Sequence, residues 1–125
     1  MQPASEFSDW LVTVRRDLHR RPEPAWREFY TTARIVEELR ALGVEDPHVG
    51  PDALGEGTRT GLPDEAAIED AKERAREAGA DPALLEKMAG GYTGAIAVLE
   101  RGEGPTVALR VDIDGLPREE STDQD

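Results

Sequence analysis

The chain has 125 residues, with 27 acidic and 15 basic side chains, a formal net charge of −12 at pH 7 and no cysteine. That length makes one domain of ordinary size. The charge excludes autonomous binding to nucleic acid or to an anionic membrane surface, since both need clustered Lys and Arg. Without Cys there are no disulfides, thiolate nucleophiles or Cys-type zinc sites. No apolar run approaches the ~18 residues of a transmembrane helix, and no basic-then-apolar leader is visible, so a cytoplasmic location is expected. Only Lys72 and Lys87 are Lys, and the other cations are all Arg. Scattered acid with scarce Lys suits a salt-rich cytoplasm, where molar salt shortens the Debye length to ~3 Å and screens self-repulsion. A GC-rich genome accounts for the same bias.

Phe7, Trp10, Leu11, Val14 and Leu18 recur at helical spacing, which predicts a first helix with Ser5 as N-cap and Glu6 just inside it. It stops before Pro22, because a residue preceding proline avoids the α region. Pro24 is placed to open a second helix. That helix has a core stripe of Trp26, Phe29, Tyr30, Ala33, Val36 and Leu39 and a C-terminal cap at Gly43. Residues 5–43 therefore read as a helical hairpin.

Residues 44–91 begin as a Gly- and Pro-rich loop. Asp64 then caps a helix that Gly79 ends, and Asp81-Pro82 starts a short helix carrying Leu84, Leu85 and Met88. The longer helix offers mainly Ala66, Ala67, Ala71 and Ala75, so this stretch reads as a peripheral helical insertion. Residues 92–117 read as a β-hairpin. Its first strand, 92–99, is apolar on both faces, as in a sheet covered on both sides. After a turn at 101–105, the second strand, 106–113, places Val107, Leu109, Val111 and Ile113 on one face and Arg110 and Asp112 on the other. An isolated hairpin is marginal, and the doubly apolar strand needs neighbours, so the domain reads as incomplete. A polar tail, 118–125, follows.

No complete catalytic constellation is present. His19 and His48 are far apart in sequence, and no His-Glu-x-x-His spacing exists. His19 falls in the last turn of the first helix, where an imidazolium suits the dipole. His48 reads as a solvated loop residue. Gly55-Glu-Gly57 and Gly102-Glu-Gly104 complete no phosphate-binding pattern and read as turns. The informative segment is Arg110-Val-Asp112-Ile-Asp114-Gly-Leu-Pro117. Its two carboxylates can share one face, about 7 Å apart along a strand, at a strand end where ligands of open α/β sheets gather. Two such acids repel unless a cation, a histidine or a shared proton intervenes. An Asp-Gly turn explains the same residues.

Leu18-His-Arg-Arg-Pro22-Glu23, then Glu28, Thr31-Thr32 and Val36 through Leu42-Gly43, resembles the opening of a metal-dependent amidohydrolase family. That family holds aminoacylases and hippurate, auxin-conjugate and aminobenzoyl-glutamate hydrolases, and is related to co-catalytic zinc exopeptidases. Gly94-Ala-Ile-Ala-Val98 and Val107-Ala-Leu-Arg-Val-Asp112-Ile-Asp114-Gly-Leu-Pro117 resemble the family's hairpin and its Arg-x-Asp-x-Asp-x-Leu-Pro motif. The resemblance implies an α/β fold, an incomplete three-layer αβα zinc-exopeptidase-like catalytic domain. Its order would be helical hairpin, helical insertion and β-hairpin, with the lid and dimerisation domain absent.

The family's Cys-Gly-His-Asp segment, Glu-Glu pair and further histidines bind two divalent metal ions, zinc or manganese, and would lie downstream of Asp125. No metal is therefore expected on this chain alone. In related exopeptidases a histidine ligand aligns with Asp112 and an Asp that orients it aligns with Asp114. Because Asp112 is not His, the resemblance implies that Asp114 holds a downstream ligand imidazole in orientation, with Asp112 the second candidate. The implied enzyme hydrolyses the amide of N-acyl or aryl-amino acids, takes a small-molecule substrate and is compatible with a homo-oligomer. The chain alone would be inactive. The alternative is a small acidic, non-catalytic interaction module derived from that fold.

Overall fold

A computed structural model describes residues 7–55 and 57–116. Helix α1 (Ser8–His19) ends where the prolines require, and none of its residues is fully buried. The proposed cap, Ser5 with Glu6, lies outside the described residues. The apolar stripe expected to seat α1 is only partly covered, with Leu11 49% exposed. Polar contacts attach the helix instead. Trp10 Nε1 donates to Glu38 at 2.8 Å, and Asp17 accepts from Tyr30 Oη at 2.6 Å and from Arg34 at 3.1 Å.

Helix α2 (Phe29–Ala41) starts later than Pro24 predicts. The intervening residues form a turn in which Trp26 takes a positive φ of 64°, so Trp26 does not belong to the helix stripe. Its indole N–H donates to the Thr60 carbonyl. Phe29, Ala33 and Val36 are buried as expected. Gly43 closes the helix in the left-handed region, with Val44 N–H on the Leu39 carbonyl.

Strand β1 (His48–Val49) and a 3-10 turn (Gly50–Asp52) come next, so His48 is exposed as expected but lies on a strand. Helix α3 (Glu65–Glu77) is capped by Asp64, which accepts from Ala67 N–H at 2.8 Å. Helix α4 (Pro82–Lys87) is capped by Asp81, which accepts from Ala83 N–H at 2.9 Å. These two helices are not peripheral. Ile68, Ala71 and Ala75 of α3, with Leu84 and Leu85 of α4 and Met88 just beyond it, form the core with Phe29 and Val36 of α2. The small alanine face lets α3 approach α2 while α4 supplies the volume. Lys72 runs its stem through the interior and carries its ammonium out to Glu69 and Glu86. Beside the core, the Arg59 guanidinium lies 3.5 Å over the Tyr92 ring and 6.0 Å from that of Trp26.

Strand β2 (Ala95–Ile96) pairs antiparallel with β1, His48 opposite Ile96 and Val49 opposite Ala95. The predicted hairpin between 92–99 and 106–113 is not formed, and residues 97–116 carry no helix or strand. Val107 and Leu109 are 87% and 90% exposed. With nothing to bury that face, the second strand has no apolar gain to offset the entropy of ordering it. The described architecture is thus a helical body with a small two-stranded antiparallel sheet.

Candidate functional site

The site is built on the Pro22-Glu23 turn. Glu28, at the N-cap of α2, makes no capping bond with its side chain. Glu23 reaches in from outside the helix, and its carboxylate accepts Tyr30 N–H at 2.9 Å and Thr31 N–H at 2.6 Å. This satisfies two of the amides that a helix start leaves without partners. Burial pushes the Glu23 carboxyl above its ordinary range, and the hydrogen bonds from Thr31 and Tyr30 pull only partly back.

Glu28 turns the other way. It accepts Arg27 N–H at 2.7 Å and the Thr93 hydroxyl at 3.0 Å. Its pKa is also raised, chiefly by burial, with the charge of Asp114 adding to the shift. Thr32 accepts Gly94 N–H at 2.9 Å, so the chain entering β2 is tied to the start of α2.

The second motif then meets the first. Gly115 N–H donates to the Glu23 carbonyl at 2.8 Å. A Cβ at Gly115 would stand 3.0 Å from Pro22 Cβ and 3.4 Å from its Cα, so a larger residue would have to push this turn back by a few tenths of an ångström. As a result Leu18, His19, Pro22 and Glu23 line one cavity of about 330 Å³ together with Asp112, Ile113 and Asp114. Asp112 is exposed and pairs with Arg110 at 2.9 Å, although no strand forms there to give them a shared face. Asp114 is exposed too, within electrostatic reach of Glu28.

Both predicted site residues therefore lie in one cavity, and His19, read from sequence as a helix-end residue, lies there with them. The roles of Glu23 and Glu28 in holding the cavity were not foreseen. Their signal was present in the Pro-Glu motif and in Glu28 preceding Thr31-Thr32. His48 lies outside this cavity. Among the described residues no three His, Asp or Glu side chains converge as a metal ion requires. Both oxygens of Glu23 are engaged by amides, and one oxygen of Glu28 by an amide and a hydroxyl. The donor set present does not by itself fit a metal centre. It can accept hydrogen bonds from a cationic or N–H group brought against Asp114, and it can fix the orientation of that group.

No family model matches the chain. It is 44% identical over 119 residues to the indole-3-acetyl-aspartic acid hydrolase of Enterobacter agglomerans, a match that spans 94% of this chain and 26% of that protein. It is 40% identical over 121 residues to a p-aminobenzoyl-glutamate hydrolase chain of Escherichia coli, or 96% of this chain and 27% of that one. The crystal structure of an aminobenzoyl-glutamate utilization protein from Klebsiella pneumoniae matches with a TM-score of 0.84 and 39% identity, over 90% of this chain and 28% of that one. The chain thus spans about a quarter of the length of the curated relatives it matches.

Proposed function

The chain's homologues are amidohydrolases, and from that premise we propose that it is the N-terminal part of a catalytic domain that hydrolyses the amide between an acyl or aryl group and an amino acid. The observation that carries this reading is the junction of two distant motifs at Gly115 and Glu23, which gathers His19, Asp112 and Asp114 in one cavity. In this reading Asp114 accepts the N–H of a ligand imidazole and fixes its tautomer and direction, and Asp112 flanks it. Two divalent ions, zinc or manganese, would be held by side chains outside the described residues.

The exposed apolar residues Val107, Leu109 and Val111 are where further strands would complete a three-layer αβα domain. Residues 5–43 would be its helical hairpin, 44–91 an inserted helical segment that also fills the core, 92–117 the motif-bearing strands and 118–125 a polar tail. The acidic, Lys-poor composition supports adaptation of that enzyme to a salt-rich setting.

The test is hydrolysis by the full-length protein of a panel of N-acyl and N-aroyl amino acids, before and after chelation. Chelator-sensitive release of the free amino acid is the expected result. A full-length protein that cleaves none of the panel, with either metal supplied, refutes the reading.

A further inference from the structure

A second, larger cavity of about 620 Å³ shares Pro22 and Glu23 with the one that holds Asp112 and Asp114, but it is lined by Arg20, Arg21, Arg27 and Arg74. Its volume is that of a small-molecule site. In a chain of net charge −12 this is a local reversal of sign. Among the described residues the only acid on its wall is Glu23, whose two oxygens already accept the amides of Tyr30 and Thr31. Arg21 is balanced by Asp17 at 2.6 Å and stacks over Tyr30. Neither Arg27 nor Arg74 is in an ion pair among the described residues. The Nε of Arg27 is buried and has no acceptor among the described residues. A buried guanidinium donor without a partner is costly, and a planar fork of N–H groups matches an oxyanion better than any other ligand class.

We propose that this cavity binds a small oxyanion, a carboxylate or phosphate group, held by Arg27 and Arg74 with Arg20 and Arg21 beside them. The proposal does not rest on amide hydrolysis. It stands on the charge and shape of this wall alone.

Calorimetric titration of the full-length protein with inorganic phosphate and, separately, with succinate, at constant ionic strength, tests it. Saturable binding of at least one anion is expected, and which of the two binds identifies the source of the oxyanion. Affinity should fall about 10–100-fold in R27Q or R74Q, the scale of a lost charge-assisted hydrogen bond. It should be unchanged in R101Q, which removes the same charge from an exposed loop. Should R27Q fail to fold, R74Q decides, because Arg74 sits exposed on α3. The proposal is overturned if neither anion binds, if binding survives R27Q and R74Q unchanged, or if R101Q weakens it equally.

Discussion

Replacing Glu23 by alanine removes the shared acceptor of two amides, 2.9 Å from Tyr30 N and 2.6 Å from Thr31 N, at a helix start that its own N-cap side chain leaves uncapped. Loss of a cap costs about 1 kcal/mol. Loss of an anion at a helix N-terminus adds about 0.3–1 kcal/mol, and each buried amide left unpaired costs about 1–3 kcal/mol. These contributions overlap, so E23A should destabilise the protein by about 2–4 kcal/mol, and E23Q, which keeps one acceptor oxygen, by about 1–2 kcal/mol.

The pH dependence separates the two effects of the carboxylate. Burial raises the folded pKa of Glu23 above 4.5, so folding disfavours its ionised form. Its favourable contribution is complete below the unfolded pKa and is lost as pH rises through the higher folded value. E23Q has no such titration, whereas Glu28, shifted the same way, titrates in both proteins, and the repulsion between the two carboxylates, lost in E23Q, adds to the difference in the same direction. The deficit of E23Q relative to wild type should therefore be larger at pH 4 than at pH 7. Urea unfolding followed by circular dichroism measures it. A deficit that grows towards pH 7 would refute the desolvation argument, and an E23A protein as stable as wild type would refute the cap.

Substitutions at three further positions probe other parts of the structure. Asp114→Ala should lower kcat/KM of the full-length enzyme about 10–100-fold, with Asp114→Asn milder because its amide oxygen still accepts a hydrogen bond. Steady-state kinetics showing both variants fully active would make Asp114 a turn residue only. Leu85→Ala, at a fully buried core position, should cost about 2–5 kcal/mol in chemical denaturation, and a cost below about 1 kcal/mol would return α4 to the periphery. Arg59→Lys keeps the charge but loses the planar stack on Tyr92. It should lower stability by about 0.5–2 kcal/mol in a thermal melt, and an unchanged Tm would remove that stack from the structural account.

Local signals were legible in the sequence, and long-range ones were not. Asp64, Asp81, Gly43 and Gly79 mark helix ends because a cap is satisfied within a few residues of chain. Pro24 misled because the acceptor that caps α2 is Glu23, which lies outside the helix, so the helix begins at Phe29 and Trp26 is free to turn out to Thr60. Residues 44–91 looked peripheral when judged by the alanines of α3. Ile68, Leu84, Leu85 and Met88 do the burying, from two elements whose closeness no periodicity reveals. The doubly apolar strand chose β1 over its sequence neighbour, a pairing decided by register and burial rather than by composition. Asp112 and Asp114 were found by motif, but their meeting with His19 depends on a backbone contact between opposite ends of the chain.

That contact has an evolutionary consequence. A methyl group added at Gly115 would press on Pro22 Cβ and Cα, and the turn would have to give by a few tenths of an ångström. The glycine and the path of the chain through position 22 therefore cannot drift independently, and each is the background on which the other is judged. In the lineage of this protein a side chain gained at position 115 should appear only where the chain around position 22 has shifted, since the atoms it meets, Cβ and Cα, are ones that almost every residue carries.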